Sequence, residues 1–325
     1  MDRLAIRVTL FLLNLSLLAL VPTAVAQEDE IVANLAGGRV LIHVSSDAIV
    51  FAAISHPLEA TSVPPRVAAV DAGHLGIFFG ASEWQVPAQP RPIRLDRDIS
   101  RAVAPDQRQM APDSGEVDLE QLGTVFLEKL RPLVAQLHHK IDLKPDDPIF
   151  EIVVFGYAPR YYGPEVWLID YRVEQQAIGS HLDYLETRVL RPRFTQLYPP
   201  EKHEAHTPVE VRFPADLQGI PLLGLIQQND PRVARLRSSE PHFAKVIDQI
   251  ERGQAQKVNV TDASDFMRAV LPILAGDHQF YEGIMGENGT FNWVVPPEEP
   301  PEKLKQAEDK NRPPEAPSLR RKPNP

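Results

Sequence analysis

LAGGRVLIHVSSDAIVFAAI, residues Leu35 to Ile54, is the stretch whose reading decides the fold. Arg39 to Val44 is rich in apolar residues, Ser45-Ser46-Asp47 supplies turn chemistry, and Ile49 to Ile54 resumes a β-branched and aromatic run. Short polar side chains can hydrogen-bond their own backbone and so favour a reversal between two such runs; the stretch predicts a hairpin of two short strands. A second pair follows, Arg66 to Asp71 and Leu75 to Gly80, joined at Ala72-Gly73-His74. Its runs are nearly continuous rather than alternating, the pattern of strands covered on both faces.

Further along, Gln85 to Glu116 scatters Pro87, Pro90, Pro92, Pro105 and Pro112 among charges and reads as a surface insertion near 85–116. Asp118 is a candidate cap for a helix whose apolar residues recur from Leu119 to Leu137 at three- and four-residue spacing, with Pro132 inside it. FEIVVFGYAPRYYGPEVWLIDYRV, Phe150 to Val173, predicts a middle hairpin with Pro159, Gly163 and Pro164 in its loop. Residues 186–237 carry no clear period and are placed as a second insertion. Regularity returns with a helix capped by Ser239 and stopped by Gly253, a second from Asp262 to Ala275, and a closing hairpin, Gln279 to Val295, turned at Asn288-Gly289. Runs of strands separated by runs of helices predict an α+β fold: a four-layer αββα sandwich of two mainly antiparallel sheets flanked by helices.

The 325 residues are 43% hydrophobic and 24% charged, enough for a sizeable core, and 32 prolines against 17 glycines collect in the loops and the tail. Met1 to Ala26 has Arg3 and Arg7 at its start, an apolar Val8 to Val21 broken only by Thr9, Asn14 and Ser16, and an A-x-A site at Ala24-Val25-Ala26. That is the pattern of a cleaved signal peptide over residues 1–26, with a retained anchor as the alternative; export to a periplasmic or extracellular space follows. The formal charge of −10 becomes one unit more negative when Asp2, Arg3 and Arg7 leave, so the chain has no electrostatic footprint for nucleic acid. With 0 cysteines there is neither disulfide nor thiolate chemistry. Residues 27–295 read as a single domain. Residues 296–325 hold nine prolines, six acidic and seven basic residues and only Leu304 and Leu319 as large apolar side chains, a composition that predicts a disordered tail.

Taken in order, several stretches resemble the proteasome-type branch of the N-terminal-nucleophile (Ntn) hydrolases. They are GRVLIHVSSDAIVFAA as first hairpin, HLGIFFGAS as a strand leading to a small-residue turn, VVFGYAPRYYGPEVWLIDY as middle hairpin, QAIGS (Gln176 to Ser180) as a turn before a helix, and DFMRAVLPILAGDHQFYEGIMGENGTFNWVV as closing helix and hairpin. The resemblance implies a threonine nucleophile at the head of the first strand whose own α-amine acts as base. Here that place falls on Gly37. The family's acidic residue falls on Ile54, its lysine on or near Arg66, and its turn serine on Ser180. Arginine keeps the positive charge of lysine but not its readiness to lose a proton. The resemblance therefore implies a degenerate member, a pseudoenzyme.

Other chemistry is thin. His203 and His206 stand three apart, and His138-His139 end a helix, but neither pair has metal-ligand spacing, so they read as solvated side chains. Asn259-Val260-Thr261 and Asn288-Gly289-Thr290 match the glycosylation pattern. Tyr157, Tyr161, Tyr162 and Trp167 gather about the middle hairpin as a packed edge or a binding platform. The expected function is an exported, non-catalytic interaction or scaffold module, with an unknown protein partner or further copies of itself, no cofactor and no metal. The alternatives are a peptidase or amidase with a relocated nucleophile, and an envelope protein that binds a small ligand.

Overall fold

The computed structural model describes residues 31–56, 64–70, 73–87, 89, 91–97, 119–137, 147–158, 163–177, 185–200, 207–287 and 289–297. The first strand among them is β1 (Val32–Ala36), followed by the opening hairpin β2 (Gly38–Val44) and β3 (Ala48–Ser55) and the second pair β4 (Arg66–Ala69) and β5 (His74–Gln85). A short strand β6 (Ile93–Arg94) precedes helix α1 (Leu119–Val134) and the middle hairpin β7 (Pro148–Ala158) and β8 (Gly163–Ala177). Strands β9 (Leu185–Val189), β10 (Arg193–Tyr198) and β11 (Val209–Phe213) come next. Four helices follow, α2 (Leu222–Gln227), α3 (Pro231–Ser239), α4 (Pro241–Glu251) and α5 (Val260–Ala275), then the closing hairpin β12 (Phe280–Gly286) and β13 (Phe291–Val295).

All strand pairs are antiparallel, and they make two sheets. The five-stranded sheet runs β11-β2-β3-β12-β13, and the eight-stranded one runs β1-β5-β7-β8-β10 with β4 and β6 also on β5 and β9 on β8. The turn between β2 and β3 is held by Ser45, whose hydroxyl donates to the Ala48 carbonyl at 2.6 Å.

Successive strand side chains point to opposite faces, and here both faces are apolar. Val40, Ile42 and Val44 of β2 join Ile77 and Phe79 of β5 and Val153 and Phe155 of β7 in a core drawn from both sheets. The other face of the five-stranded sheet, with Leu41, Val50, Ala52 and Ile54, packs with Leu225, Ile247, Phe266 and Leu271 of the helices after β11. The other face of the eight-stranded sheet, with Phe78, Ile152, Val154 and Ile169, packs with Phe126, Leu130 and Val134 of α1. Double coverage is the reason these strands lack polar alternation.

In four places the structure differs from the sequence reading. Gly80-Ala81-Ser82 is not a turn: β5 runs on to Gln85, with Gly80 taking φ +73° opposite Ala36 and the ladder to β1 shifting register at Ser82. Ile93–Arg94 pairs with β5, and Leu95 after it is fully buried, so the start of the proline-rich stretch is anchored in the sheet. Ser239 ends α3 instead of capping α4, its hydroxyl donating back to Leu236 O, and Glu240 takes the cap position. The stretch from 186 to 237, where no period was visible, is regular in its described residues, which contribute to three strands and two helices of the two sheets and the helical face. Signal, most of the tail, most of 85–116, the Asp118 cap, Pro159 in the middle loop and Asn288 in the closing turn lie outside the described residues.

Phe51 sits at the centre of the shared core, its ring centroid 4.9 Å from Phe155 across the sheets and 5.8 and 5.9 Å from Phe291 and Trp293 on β13. Phe51→Ala should cost about 3 to 5 kcal/mol in chemical denaturation, the loss typical of emptying a core aromatic site.

Candidate functional site

The resemblance directs attention to the place where the chain leaves one sheet for the other. Ala36 closes β1 opposite Gly80, and Gly38 opens β2 opposite Ser55 and Phe213, so Gly37 is the one-residue bridge between the sheets. Both glycines are buried, and the Gly37 carbonyl accepts the His56 backbone N–H at 3.0 Å. A Cβ on Gly38 would collide with the Ile54 carbonyl oxygen and stand 3.0 Å from Pro65 Cγ, closer than van der Waals radii permit. Pro65 is itself pinned: its carbonyl accepts the Tyr281 hydroxyl at 2.6 Å, and burial pushes the Tyr281 phenol pKa upward, keeping it a donor. Backbone and ring thus fill the space next to the bridge.

Arg66 stands at the head of β4, on the same edge of β5 as β1. Its Nη2 lies 2.7 Å from Glu83 Oε2, and Asn34 of β1 donates to Glu83 Oε1 at 3.1 Å. Burial lowers the Arg66 pKa, Arg94 adds to this, and Asp96 and Glu83 oppose it. A guanidinium stays charged under these conditions. Arg66 is accordingly a fixed cation paired to a carboxylate, not a group that exchanges a proton. Ile54 is fully buried among the helix-side apolar residues. Ser180, His138, His139, His203, His206, Tyr161 and Tyr162 lie outside the described residues. Among the described residues no group of three His, Asp or Glu is placed to hold a metal ion.

On the helix side of the five-stranded sheet, at this same end, lies a cluster that the sequence reading missed. Arg212 of β11 is opposite Arg39 of β2, and Arg39 is opposite Ile54 of β3. One step beyond, the rings of His56 and His278 meet at 4.1 Å. Glu210 faces both guanidinium groups. Arg212 Nε donates to its Oε1 at 2.8 Å, Arg39 Nε makes an ion pair with the same oxygen at 3.4 Å, and Oε2 accepts the Leu222 N–H at 2.8 Å. Four basic side chains so far apart in the chain leave no local signal; only strand register brings them together.

Three other pairs of polar side chains are buried or half-buried in the fold. Ser264 of α5 donates to Glu282 Oε1 of β12 at 2.7 Å, but both are buried between helix and sheet, the serine only 4% exposed, so a substrate has no approach. His74 Nε2 is 2.9 Å from Glu165 Oε1, and Trp167 donates to Glu165 Oε2 at 2.9 Å; burial raises the Glu165 pKa, and these hydrogen bonds outweigh it and hold it low. Glu151 stands opposite Asp170 across β7 and β8. Burial, with Asp170 adding to it, pushes Glu151 up to about 8, so it is protonated in the neutral range, while Asp170 accepts from Arg172 at 2.9 Å and Arg193 at 3.1 Å. Tyr157 packs in the shared core and Trp167 on the α1 side, so they do not form one platform. Asn259 caps α5, accepting the Asp262 N–H at 2.8 Å and donating to Asp262 Oδ2 at 2.9 Å, which ties up the amide of the first glycosylation match.

No protein-family model matches the chain, and no curated protein matches it.

Buried His43 of β2, whose Nε2 lies 3.1 Å from the Ala255 carbonyl, and Glu151 set opposing pH dependences. The unfolded chain protonates His43 near 6.5, but burial lowers the folded value to about 4, so stability is lost as pH falls from 6.5 toward 4. Glu151 shifts the other way, from 4.5 to about 8, so stability is lost as pH rises through that interval. Between 4.5 and 6.5 the two slopes oppose each other. Glu151→Gln mimics the protonated acid; in thermal melts it should match the wild type near pH 5 and exceed it by several degrees near pH 9.

Proposed function

We propose that this chain is an exported, non-catalytic protein built on a four-layer αββα scaffold of proteasome type, acting as an interaction or scaffold module. The order of the three cores supports the layering: helix α1, the eight-stranded sheet, the five-stranded sheet, then α2 to α5. The observation that carries the functional half is the head of β2, where Gly37, the nucleophile's place by the resemblance, has no side chain and follows a strand paired along β5. A nucleophile that uses its own α-amine must be both terminal and provided with a side chain. Gly37 and Gly38 have no side chain, the Ile54 carbonyl and Pro65 occupy the position that one on Gly38 would need, and β1 precedes them as a strand paired along β5. Freeing Gly37 as a terminus would sever β1 from β2 and leave it held to β5 by hydrogen bonds and packing alone.

Fold likeness alone licenses no activity. Without the nucleophile, the acid and the proton-exchanging lysine, what the scaffold offers is surface, and export with a proline-rich charged tail is consistent with docking to another protein. Incubating the purified protein with fluorogenic peptide, amide and ester substrates and a hydroxyl-reactive phosphonate should give neither turnover nor labelling. Turnover abolished by the phosphonate, with one serine or threonine labelled, would overturn the reading in favour of a hydrolase with a relocated nucleophile.

A further inference from the structure

We propose that the basic cluster of Arg39, Arg212, His56 and His278 is a binding site for a small oxyanion, a phosphate or a carboxylate. The protein is acidic overall, at −10, yet the end of the five-stranded sheet beside Gly37 gathers two guanidinium groups about one carboxylate, with two imidazoles in contact with each other and within the field of both guanidinium groups. That carboxylate is fully engaged: Glu210 is shared between Arg39 and Arg212 through Oε1 and takes a backbone N–H through Oε2. One negative charge faces two permanent positive ones.

Desolvation sharpens the imbalance. Arg39 is 2% exposed, its Nη1 donating to the Ile220 carbonyl at 3.4 Å. Its Nε, close to Glu210 but not aligned with it, and the Nε2 of His56 are buried with no hydrogen-bond partner among the described residues. The Nη2 of Arg212 is a third such atom. Buried polar groups are nearly always paired, and a guanidinium N–H can only donate, so the cluster calls for a ligand that supplies acceptors, toward which His56 can turn the Nε2–H tautomer. The field acting on His56 is wholly cationic: after burial, its pKa is lowered by His278, Arg39 and Arg212. A bound oxyanion would reverse that field and accept from both imidazoles, with the guanidinium pair behind them giving the charge-assisted hydrogen bonds that favour phosphate and carboxylate. Exposed His278 marks the side from which the ligand enters.

The inference does not depend on whether the protein turns over a substrate, because none of these four residues belongs to the positions that the Ntn resemblance assigns. It is tested on the full chain by isothermal titration with inorganic phosphate and, separately, with succinate, against chloride at equal ionic strength. The expected result is saturable one-to-one binding of at least one of the two, with phosphate alone assigning a phosphate ligand and succinate alone a carboxylate. The double variant His56→Gln, His278→Gln should weaken that binding tenfold or more while melting in chloride as the wild type does. Should that variant fail to fold, the single variant His278→Gln, at an exposed position, is expected to weaken binding severalfold with its melting unchanged. Absence of saturable binding with both probes, or wild-type affinity in a folded variant, would overturn the proposal.

Discussion

Gly38 passes so near the Ile54 carbonyl that the β2 backbone and the end of β3 leave no room for a side chain between them. That close approach fixes where the chain leaves the eight-stranded sheet and joins the five-stranded one, and with it the register of the hairpin that both cores share. Val40 and Ile42 then fall toward the other sheet and Leu41 toward the helices. A slip of one residue would exchange those sets. Pro65 and Tyr281 close the same corner from the side, so the crossing is braced by a ring, a hydrogen bond and two strands.

The buried polar groups divide according to how they meet the cost of burial. Arg66 and Glu83, and Asp170 with Arg172 and Arg193, offset it by pairing charges. His43 and Glu151 give up their charge instead, one losing a proton and the other retaining it. The basic cluster at the end of β2 does neither completely: its arginines stay charged, its single carboxylate is shared, and donors are left over. A place where surplus charge and unpaired donors coincide is the first place to look for function.

Much of the secondary structure was legible because double burial writes continuous apolar runs. The opening, middle and closing hairpins and the α1 and α5 helices announce themselves through such runs, helical spacing and turn residues. The region after β8 was opaque because β9 and β10 lie at a sheet edge with exposed residues such as Arg188 and Arg193, so charge interrupts their apolar pattern. The α4 cap was misread because Ser239 and Glu240 both precede a proline that starts a helix, and local chemistry does not say which of them finishes the preceding one. Gly37, Ile54 and Arg66 could be singled out by resemblance. The basic cluster could not, since it exists only once β11 is laid beside β2 and His278 beside His56.

The reading as a non-catalytic scaffold rests on a chain that passes unbroken through Gly37, with β1 kept in its sheet. Intact-mass measurement with N-terminal sequencing of the protein recovered from a secreting host tests this directly. The account predicts a chain whose first residue lies upstream of Ile31, at Gln27 if residues 1–26 are removed on export. A mature chain beginning at Gly37 or beyond would contradict it.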